Sequence, residues 1–475
     1  LDALENSREA RRRHQSQLAA RRQSWIDRNA YYYGHVRRAL RFIVEPGKRV
    51  LNIRCQTGHL LDAVEPSYGV GVEISQALVD VARARYPRFT FLQSDPESLE
   101  TAGPFDYVLV NDLCDTVNVL ASLRRLTPLC EAHTRVLVYS YNRLWQPALE
   151  WAEALGLRMQ VLEPNWLSEH DVRGLLALAG FNTLRTYRLI LVPRKIPLLS
   201  EFCNRVLARM PVLSRLCLVS VIVARREPQP VPPESVSVSV VVPCRNERGN
   251  IASAVERIPE LGRHTEIVFC DDRSTDGTAD EIRRLREQYP RRDIRLVEGP
   301  GISKARNVWT GFRASRGDIL VILDGDLTVR PEELPQFILA LTERRAEFVN
   351  GSRLVYPLPK AAMKFTNMVA NKMFSRLFSY LLDQHVKDTL CGTKALWRRD
   401  WERIEPLVGS WGVEDRWGDY ELLFGASRRQ LAIVDMPVHY RERVYGVSKM
   451  ISVVENGLIM LRMCLAAGLR LRGGY

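Results

Sequence analysis

The sequence predicts an α/β protein of two doubly wound domains followed by an amphipathic C-terminal helix. Three observations carry this prediction. The chain of 475 residues exceeds the size, about 250 to 300 residues, at which a single core stops growing. A Pro-rich polar run, Arg225-Arg-Glu-Pro-Gln-Pro-Val-Pro-Pro-Glu-Ser235, has the composition of a linker. On both sides of it short β-branched runs alternate with longer helical patterns, which argues for parallel sheets covered by helices, twice over.

The chain divides on this reading into a basic N-terminal helix (1–30), a first domain (31–226), the linker (227–235), a second domain (236–449) and an amphipathic tail (450–475). The 46% hydrophobic and 26% charged residues are those of a folded globular protein. A net charge of +13 points to an anionic partner. Nine cysteines, scattered singly and without CxxC spacing, indicate a reducing compartment. No run reaches the roughly 18 consecutive apolar residues of a spanning helix, and the first residues are charged rather than signal-like. The expected location is therefore the cytoplasm, peripheral at the inner face of the membrane. Two segments suit a membrane surface: the start, with Arg8, Arg11, Arg12, Arg13, Arg21 and Arg22, and the tail from Gly457 to Arg472, where Arg462 and Arg470 interrupt apolar residues. They read equally well as a solvated basic helix and a buried terminal helix. The basic residues are not interleaved with aromatic base-stacking positions, so nucleic acid is not an expected partner.

In the first domain Tyr31-Tyr-Tyr33 opens a helical pattern running to Val44 and reads as a packed lid over the sheet edge. Pro46 to Gly58 then gives strand, tight turn and helix. Strands follow at Gly69–Ser75, Phe89–Asp95 and Phe105–Asp112, with Leu184–Val192 and Leu218–Ala224 around a helical insert. An acidic residue closing the second strand, Glu73, suits ribose hydroxyls. Pro164-Asn-Trp-Leu-Ser168 is an N-cap signal, and His59, His133 and His170 lack metal-ligand spacing. The segment from about Tyr31 to Arg226 resembles the class I methyltransferases, which use S-adenosylmethionine. The resemblance implies a Rossmann-like fold with Gly58 at the methionine end of the cofactor, Glu73 at the ribose, Asp95 near the adenine and Asp112 at the pocket edge. The family's first strand usually ends Asp-x-Gly-x-Gly-x-Gly, and here those positions read Asn52, Arg54, Gln56 and Gly58. Long side chains stand where glycines let the backbone approach the cofactor. Two readings stay open. One is an active methyltransferase that modifies the sugar or acceptor and makes the chain bifunctional; the other is a scaffold that kept the fold and lost the cofactor. A third, an RNA methyltransferase, lacks any RNA-binding motif.

The second domain opens with the strand Val238-Ser-Val-Val-Val and runs into Pro243-Cys-Arg-Asn-Glu247, with a helical pattern from Ile251. A strand Glu266-Ile-Val-Phe-Cys delivers Asp271-Asp-Arg-Ser-Thr-Asp-Gly-Thr278 at its carboxyl end, where open α/β sheets bind ligands. A third strand from Asp318 ends in Asp324-Gly-Asp326. Two carboxylates separated by one small residue suit a hard divalent cation that keeps positions for diphosphate oxygens. The three motifs in this order, each at a strand end, resemble the family 2 glycosyltransferases of GT-A fold, over Val236 to about Lys449. That resemblance implies a nucleotide-sugar donor held by Pro243, Asn246, Glu247, Asp271, Asp272 and Asp276. It implies magnesium or manganese at Asp324 and Asp326, with Arg306 and Asn307 of Gly301-Ile-Ser-Lys-Ala-Arg-Asn307 near the donor. Asp388-Thr-Leu-Cys-Gly-Thr-Lys394 and Arg443-Val-Tyr-Gly-Val-Ser-Lys449 look like the acceptor side of the dolichol-phosphate mannosyltransferase branch. Asp388, Arg443, Ser448 and Lys449 are thereby expected at a lipid-phosphate or related glycan acceptor, where an Arg, a Ser and a Lys can hold phosphate oxygens. The alternative is an exposed basic loop. Within Val413-Glu-Asp-Arg-Trp-Gly-Asp-Tyr-Glu421, Asp415 and Asp419 are the catalytic candidates, and a surface turn paired with Arg416 is the competing reading.

Overall fold

The computed structural model describes residues 2–162, 164–357, 365–443, 445, 453–472 and 474. The chain forms two compact units, 1–228 and 229–472, taken in turn.

In the first unit α1 (Asp2–Arg28) and α2 (Ala30–Ile43) precede β1 (Arg49–Ile53), α3 (His59–Ala63), β2 (Tyr68–Glu73), α4 (Gln76–Arg85), β3 (Thr90–Gln93) and β4 (Phe105–Val110). Then come α5 (Val119–Leu126), β5 (Cys130–Tyr141), α6 (Gln146–Ala154), α7 (Glu169–Leu178), β6 (Phe181–Leu189), α8 (Leu199–Arg205) and β7 (Val219–Arg226). The sheet order is β3-β2-β1-β4-β5-β7-β6. The five strands β3 to β5 are parallel, and β7 runs antiparallel to both its neighbours. Alternate residues face opposite layers, as a pleated strand requires: Val50 packs with α2 and α3 residues, whereas Leu51 and Ile53 pack with α5 and α7. The order reverses between β1 and β4, which puts a crevice at their carboxyl ends. Tyr32 is buried, with its hydroxyl on Tyr139. Ser168 caps α7 in a reciprocal capping box with Asp171.

The second unit contains β8 (Ser237–Cys244), α9 (Arg248–Arg257), β9 (His264–Asp271), α10 (Thr278–Gln288), β10 (Asp293–Glu298), α11 (Lys304–Ala314), β11 (Ile319–Ile322) and α12 (Leu334–Thr342). It continues through β12 (Phe348–Ser352), α13 (Phe365–Leu382), β13 (Lys394–Trp397), α14 (Arg398–Ile404), α15 (Asp419–Arg428), β14 (Ile433–Pro437) and α16 (Val453–Leu471). The sheet order is β10-β9-β8-β11-β13-β12-β14. Val238, Val240 and Val242 of β8 pack into one apolar layer and Val241 into the other, so this central strand is buried on both faces.

The expected parallel strands are present in both units, and each sheet also contains one reversed strand. In the second unit the reversal positions the site. β13 pairs antiparallel with β11, Ile322 opposite Lys394, so the segment entering β13 arrives at the carboxyl end of β11. In the tail, Met460, Met463, Cys464, Ala467 and Leu471 of α16 join the core, while Leu458, Leu461, Leu465 and Leu469 stay exposed on its other side. Among the described residues no helix is long and apolar enough to cross a membrane.

Candidate functional site

The order of the second sheet reverses between β8 and β11, and a cavity of about 430 Å³ opens at their carboxyl ends. Three acidic clusters far apart in sequence share its wall: Glu247 after β8, Asp272 after β9, and Asp324 and Asp326 after β11. Gly325 has to be small, since a Cβ there would lie 2.9 Å from the Pro243 carbonyl oxygen. Five cations share this wall with the acids: Arg245, Lys304, Arg353, Arg416 and Arg443. Lys304 Nζ is 2.5 Å from Asp324 Oδ1. Burial would raise the Asp324 carboxyl, but Lys304 outweighs it and holds the group below its ordinary value. Arg443 reaches Asp326 Oδ2 at 2.5 Å, while Asp326 Oδ1 accepts from the Thr328 backbone and hydroxyl. Asp272 accepts the Gly301 N–H at 2.6 Å, which ties the loop after β10 to the end of β9.

Of the remaining donor-side candidates Pro243 and Asn307 line the cavity, and the others hold the loops. Asn246, at φ 57°, receives the Thr275 N–H, and its own N–H donates to Ser274 Oγ. Asp276 accepts from the N–H groups of Thr278 and Arg248, joining the starts of α10 and α9. Asp271 is buried, with one oxygen accepting from Ser274 N–H and the other unpaired. Asn307 is buried against the Cys270 carbonyl at the cavity edge. The expectation for Arg306 is corrected: Lys304 and Asn307 share one face of α11, one turn apart, and Arg306 points off it toward Glu414 at 4.0 Å.

On the acceptor side Asp388 does not touch the cavity. It is wholly buried and makes a two-pronged pair with Arg353, 2.8 and 3.0 Å, with a further bond from Asn371. Burial opposes its ionisation, yet Arg353 holds the carboxyl down at about 2. Asp388 thus positions Arg353, which lines the cavity. Ser448 and Lys449 lie outside the described residues. The two catalytic candidates separate. Asp419 lines the cavity and pairs with the buried Lys394 at 2.9 Å. Asp415, whose assignment is corrected, is absent from the wall and accepts the N–H groups of Trp417, Tyr420 and Glu421 at 2.9 to 3.0 Å, which fixes the start of α15. Sequence reasoning did not single out Lys304, Arg353 or Lys394 and named Arg416 only as a pairing partner; Lys304, Lys394 and Arg416 stand inside quoted motifs, but nothing local marks Arg353.

Residues 239–404 match the family described as Glycosyl transferase family 2. This stretch is a family 2 glycosyltransferase domain. It is similar to dolichol-phosphate mannosyltransferase of Pyrococcus furiosus, with 38% identity over 120 residues, 25% of this chain and 33% of that protein. It is also similar to the protein of that name in Saccharomyces cerevisiae, 35% identical over 125 residues, 25% of this chain and 45% of that one. A third similarity is to undecaprenyl-phosphate 4-deoxy-4-formamido-L-arabinose transferase of Pseudomonas aeruginosa, 34% identical over 114 residues, 23% of this chain and 32% of that one. The chain spans from about a third to under half of the length of these relatives. Outside the glycosyltransferase domain, a solved S-adenosylmethionine-dependent methyltransferase of Thermotoga maritima covers 46% of this chain and 99% of its own at 16% identity and TM-score 0.36. One from Mesorhizobium loti covers 40% and 96% at 16% identity and TM-score 0.31.

The corresponding crevice of the first unit is filled by the chain itself. Arg54 and Gln56 both adopt left-handed backbone, φ 57° and 53°, where glycine is usual. The Arg54 guanidinium is buried, bonded to Asp115 and 3.6 Å from Glu73. Glu73 accepts the Gln56 N–H at 2.9 Å and the Ile74 N–H at 2.8 Å. Gln56 Nε2 donates to Asp112. From α1, Arg11 pairs with Asp115 at 2.8 Å, Arg12 with Asp95 at 2.9 Å, and Arg22 approaches Asp112 at 4.0 Å. At Gly58 a Cβ would lie 2.9 Å from the Phe91 ring. Cavities of about 60, 10 and 10 Å³ lie beside these groups. A larger depression of about 590 Å³ lies at the amino ends of β4 and β5, around Gly103, Pro104 and Cys130, away from the strand-end carboxylates.

Proposed function

We propose that the second unit moves a sugar from a nucleoside diphosphate donor to a polyprenyl phosphate or related glycan phosphate, with inversion at the anomeric carbon. One observation carries the reading: the cavity after β8, β9 and β11 is lined by Asp272, Asp324 and Asp326 together with Arg245, Lys304, Arg353, Arg416 and Arg443. Carboxylates suit ribose hydroxyls, a base N–H and a cation, and the guanidinium and ammonium groups suit two phosphates. Similarity to relatives named for dolichol-phosphate and undecaprenyl-phosphate substrates supports the acceptor class.

Asp324 and Asp326 fit a hard divalent cation such as magnesium or manganese, since two carboxylates face a space with room for diphosphate and water ligands. Among the described residues no third acidic, His or Cys group completes a cage, as expected of a metal shared with its substrate. When bound, the cation supplies electrostatic stabilisation of the leaving diphosphate. Lys304 is the protein's own contribution there: its ammonium stays protonated, because Asp324 overcomes the effect of burial, and can follow the charge that develops on the departing oxygens. Arg353, fixed by Asp388, and Arg443 orient the acceptor phosphate. A phosphate monoester, with a second pKa of roughly 6, attacks as an anion and needs no base; Asp419 takes the proton only if the acceptor is a hydroxyl.

The first unit takes part on this reading as a scaffold and carries out no methyl transfer. Its crevice does not fit S-adenosylmethionine, because about 60 Å³ falls far below the roughly 300 to 1,000 Å³ of small-molecule sites. The tail helix α16, with its exposed leucines and Arg462 and Arg470, lies against a membrane surface. The test is a thermal-shift and hydrolysis screen of nucleotide sugars with and without manganese, followed by turnover with polyprenyl phosphate. One donor class is expected to raise Tm only with metal present. A donor effect indifferent to metal, or no transfer to any polyprenyl phosphate, would overturn the reading.

A further inference from the structure

The helical insert between β6 and β7 of the first unit is built inside out. Its inward face is polar or small: Ser200, Asn204, Ala208 and Ser214 are buried, the first three at helical four-residue spacing. These groups pin the insert through hydrogen bonds. Asn204 Oδ1 accepts the Leu191 and Val192 N–H groups at 2.7 and 3.0 Å, and its amide donates to the Val192 carbonyl and the Tyr31 hydroxyl. Ser200 Oγ accepts the Ile196 N–H at 2.8 Å and donates to the Arg194 carbonyl. The outward face carries Leu198, Leu199, Phe202, Val206, Met210 and Val212, all exposed. Leu198 is 89% exposed and Val212 76%. Leu198 also holds a left-handed backbone, φ 63°, which a branched side chain adopts only under constraint.

A soluble helix normally turns its apolar stripe inward, and a contiguous apolar patch left in water marks a contact surface. The charges around this one select the occupant. Arg194, Lys195, Arg205 and Arg215 are exposed along the same segment, and Glu201, ion-paired with Arg205, is its one acidic residue. The adjoining α6 buries none of its residues and presents Trp151 at 76% exposure. It is tied to the insert by Trp145 Nε1 donating to the Leu216 carbonyl and by Asn142 donating to the Arg215 carbonyl. On the insert the cations outnumber the single acid Glu201, and α6 adds Glu150 and Glu153, the latter paired with Arg158. Apolar side chains, a Trp and an excess of cations on the insert are the chemistry of the head-group layer of an anionic bilayer.

We infer that residues 194–216 form a membrane-docking surface of the first unit, which inserts its apolar side chains among acyl chains and sets its arginines and lysine against anionic lipid head groups. The inference stands whether or not the acceptor is a lipid phosphate. It assigns to the first unit the task of holding the chain at the bilayer, independently of α16.

The experiment is flotation of the full chain with vesicles of phosphatidylcholine alone and of phosphatidylcholine mixed with phosphatidylglycerol. The wild type is expected to float with the mixed vesicles and to release as salt is raised. The combined Leu198→Asp, Phe202→Asp and Val212→Asp variant should bind about tenfold or more weakly, with unchanged circular dichroism and Tm because these side chains are exposed. Combined Arg194→Ala, Lys195→Ala and Arg205→Ala should remove only the preference for phosphatidylglycerol. Sugar transfer to a water-soluble short-chain acceptor should be unaffected in both, so that failure of docking and failure of the glycosyltransferase reading give different results. The inference is overturned if the wild type ignores mixed vesicles, or if the Asp variant floats as well as the wild type. It is equally overturned if Leu461→Asp with Leu465→Asp in α16 abolishes binding by itself, or if the patch proves to mediate self-association or capture of a protein partner.

Discussion

The crevices of the two units start from the same topology and end in opposite states. Each lies where strand order reverses beside a central parallel strand, and each gathers carboxylates at strand ends: Glu73, Asp95, Asp112 and Asp115 in one, Asp272, Asp324 and Asp326 in the other. In the first unit the counter-cations are Arg54 from the turn itself and Arg11, Arg12 and Arg22 from α1, and they fill the space. In the second the counter-cations Lys304, Arg353 and Arg443 stand around a space that stays open. The comparison teaches that acidic strand ends do not by themselves make a ligand site. What decides is whether their charge is neutralised from within the crevice or from its rim, because only a rim leaves volume for a ligand.

Five results test this contrast. The largest effect is expected at the open crevice, where Asp326→Ala should lower kcat/KM for sugar transfer by about a thousandfold or more and abolish the metal-dependent donor shift. Retained transfer would remove the carboxylate pair from the chemistry. At the filled crevice Arg54→Ala should destabilise the first unit by about 3 to 5 kcal/mol in urea melts, since Asp115 and Glu73 would be left buried with weakened compensation. Calorimetric titration of the wild type with S-adenosylmethionine should give no heat, and measurable binding would show that the plug yields.

Next comes the split between Asp419 and Asp415. With a hydroxyl acceptor, Asp419→Asn should lower kcat by about a hundredfold with little loss of stability. Asp415→Asn should cost about 1 to 3 kcal/mol of stability, through weaker acceptance of three backbone N–H groups. Equal effects on kcat from both would return Asp415 to the site.

The smallest effects per unit change are those of pH, and they have opposite signs in the two units. His59, beside the filled crevice, is pushed down to about 3 by burial and then by Arg22, Arg37 and Arg85. The unfolded chain therefore binds more protons than the folded one between pH 6.5 and about 3, and stability falls as pH drops through that window. Glu421 of α15 is pushed up to about 7, mainly by burial. Its folded form binds more protons between pH 4.5 and about 7, so stability falls as pH rises through that window. Each slope is at most about 1.4 kcal/mol per pH unit. His59→Gln should flatten the acid limb of urea melts and Glu421→Gln the neutral limb, and slopes left unchanged would place the titration elsewhere.

Strand and helix alternation, the linker and the three acidic motifs were legible in the sequence because each depends on residues close together along the chain. Periodicity reports which faces are buried, and a strand followed by a polar turn reports a strand end. The same locality leaves open where individual side chains point. Asp415 and Asp276 belong to acidic motifs, but which backbone N–H groups consume their oxygens depends on how the chain turns back. Arg306 and Lys304 are two residues apart, and only the rotation of α11 against the sheet turns the lysine to Asp324.

By itself the sequence determined two α/β units, the order of motifs along the second, and the long side chains of Arg54 and Gln56 in the turn after the first strand of the first. Only the tertiary structure decided that β13 runs antiparallel, which brings Asp388 with its partner Arg353 and Lys394 to the carboxyl end of β11. It alone decided that α1 spends its arginines on the acids of the neighbouring crevice and that the insert after β6 turns its apolar side outward. The reason is physical: strand direction, helix rotation and charge pairing are settled by contacts between segments tens to more than a hundred residues apart, and no local pattern encodes which of the available partners is nearest once the core has closed.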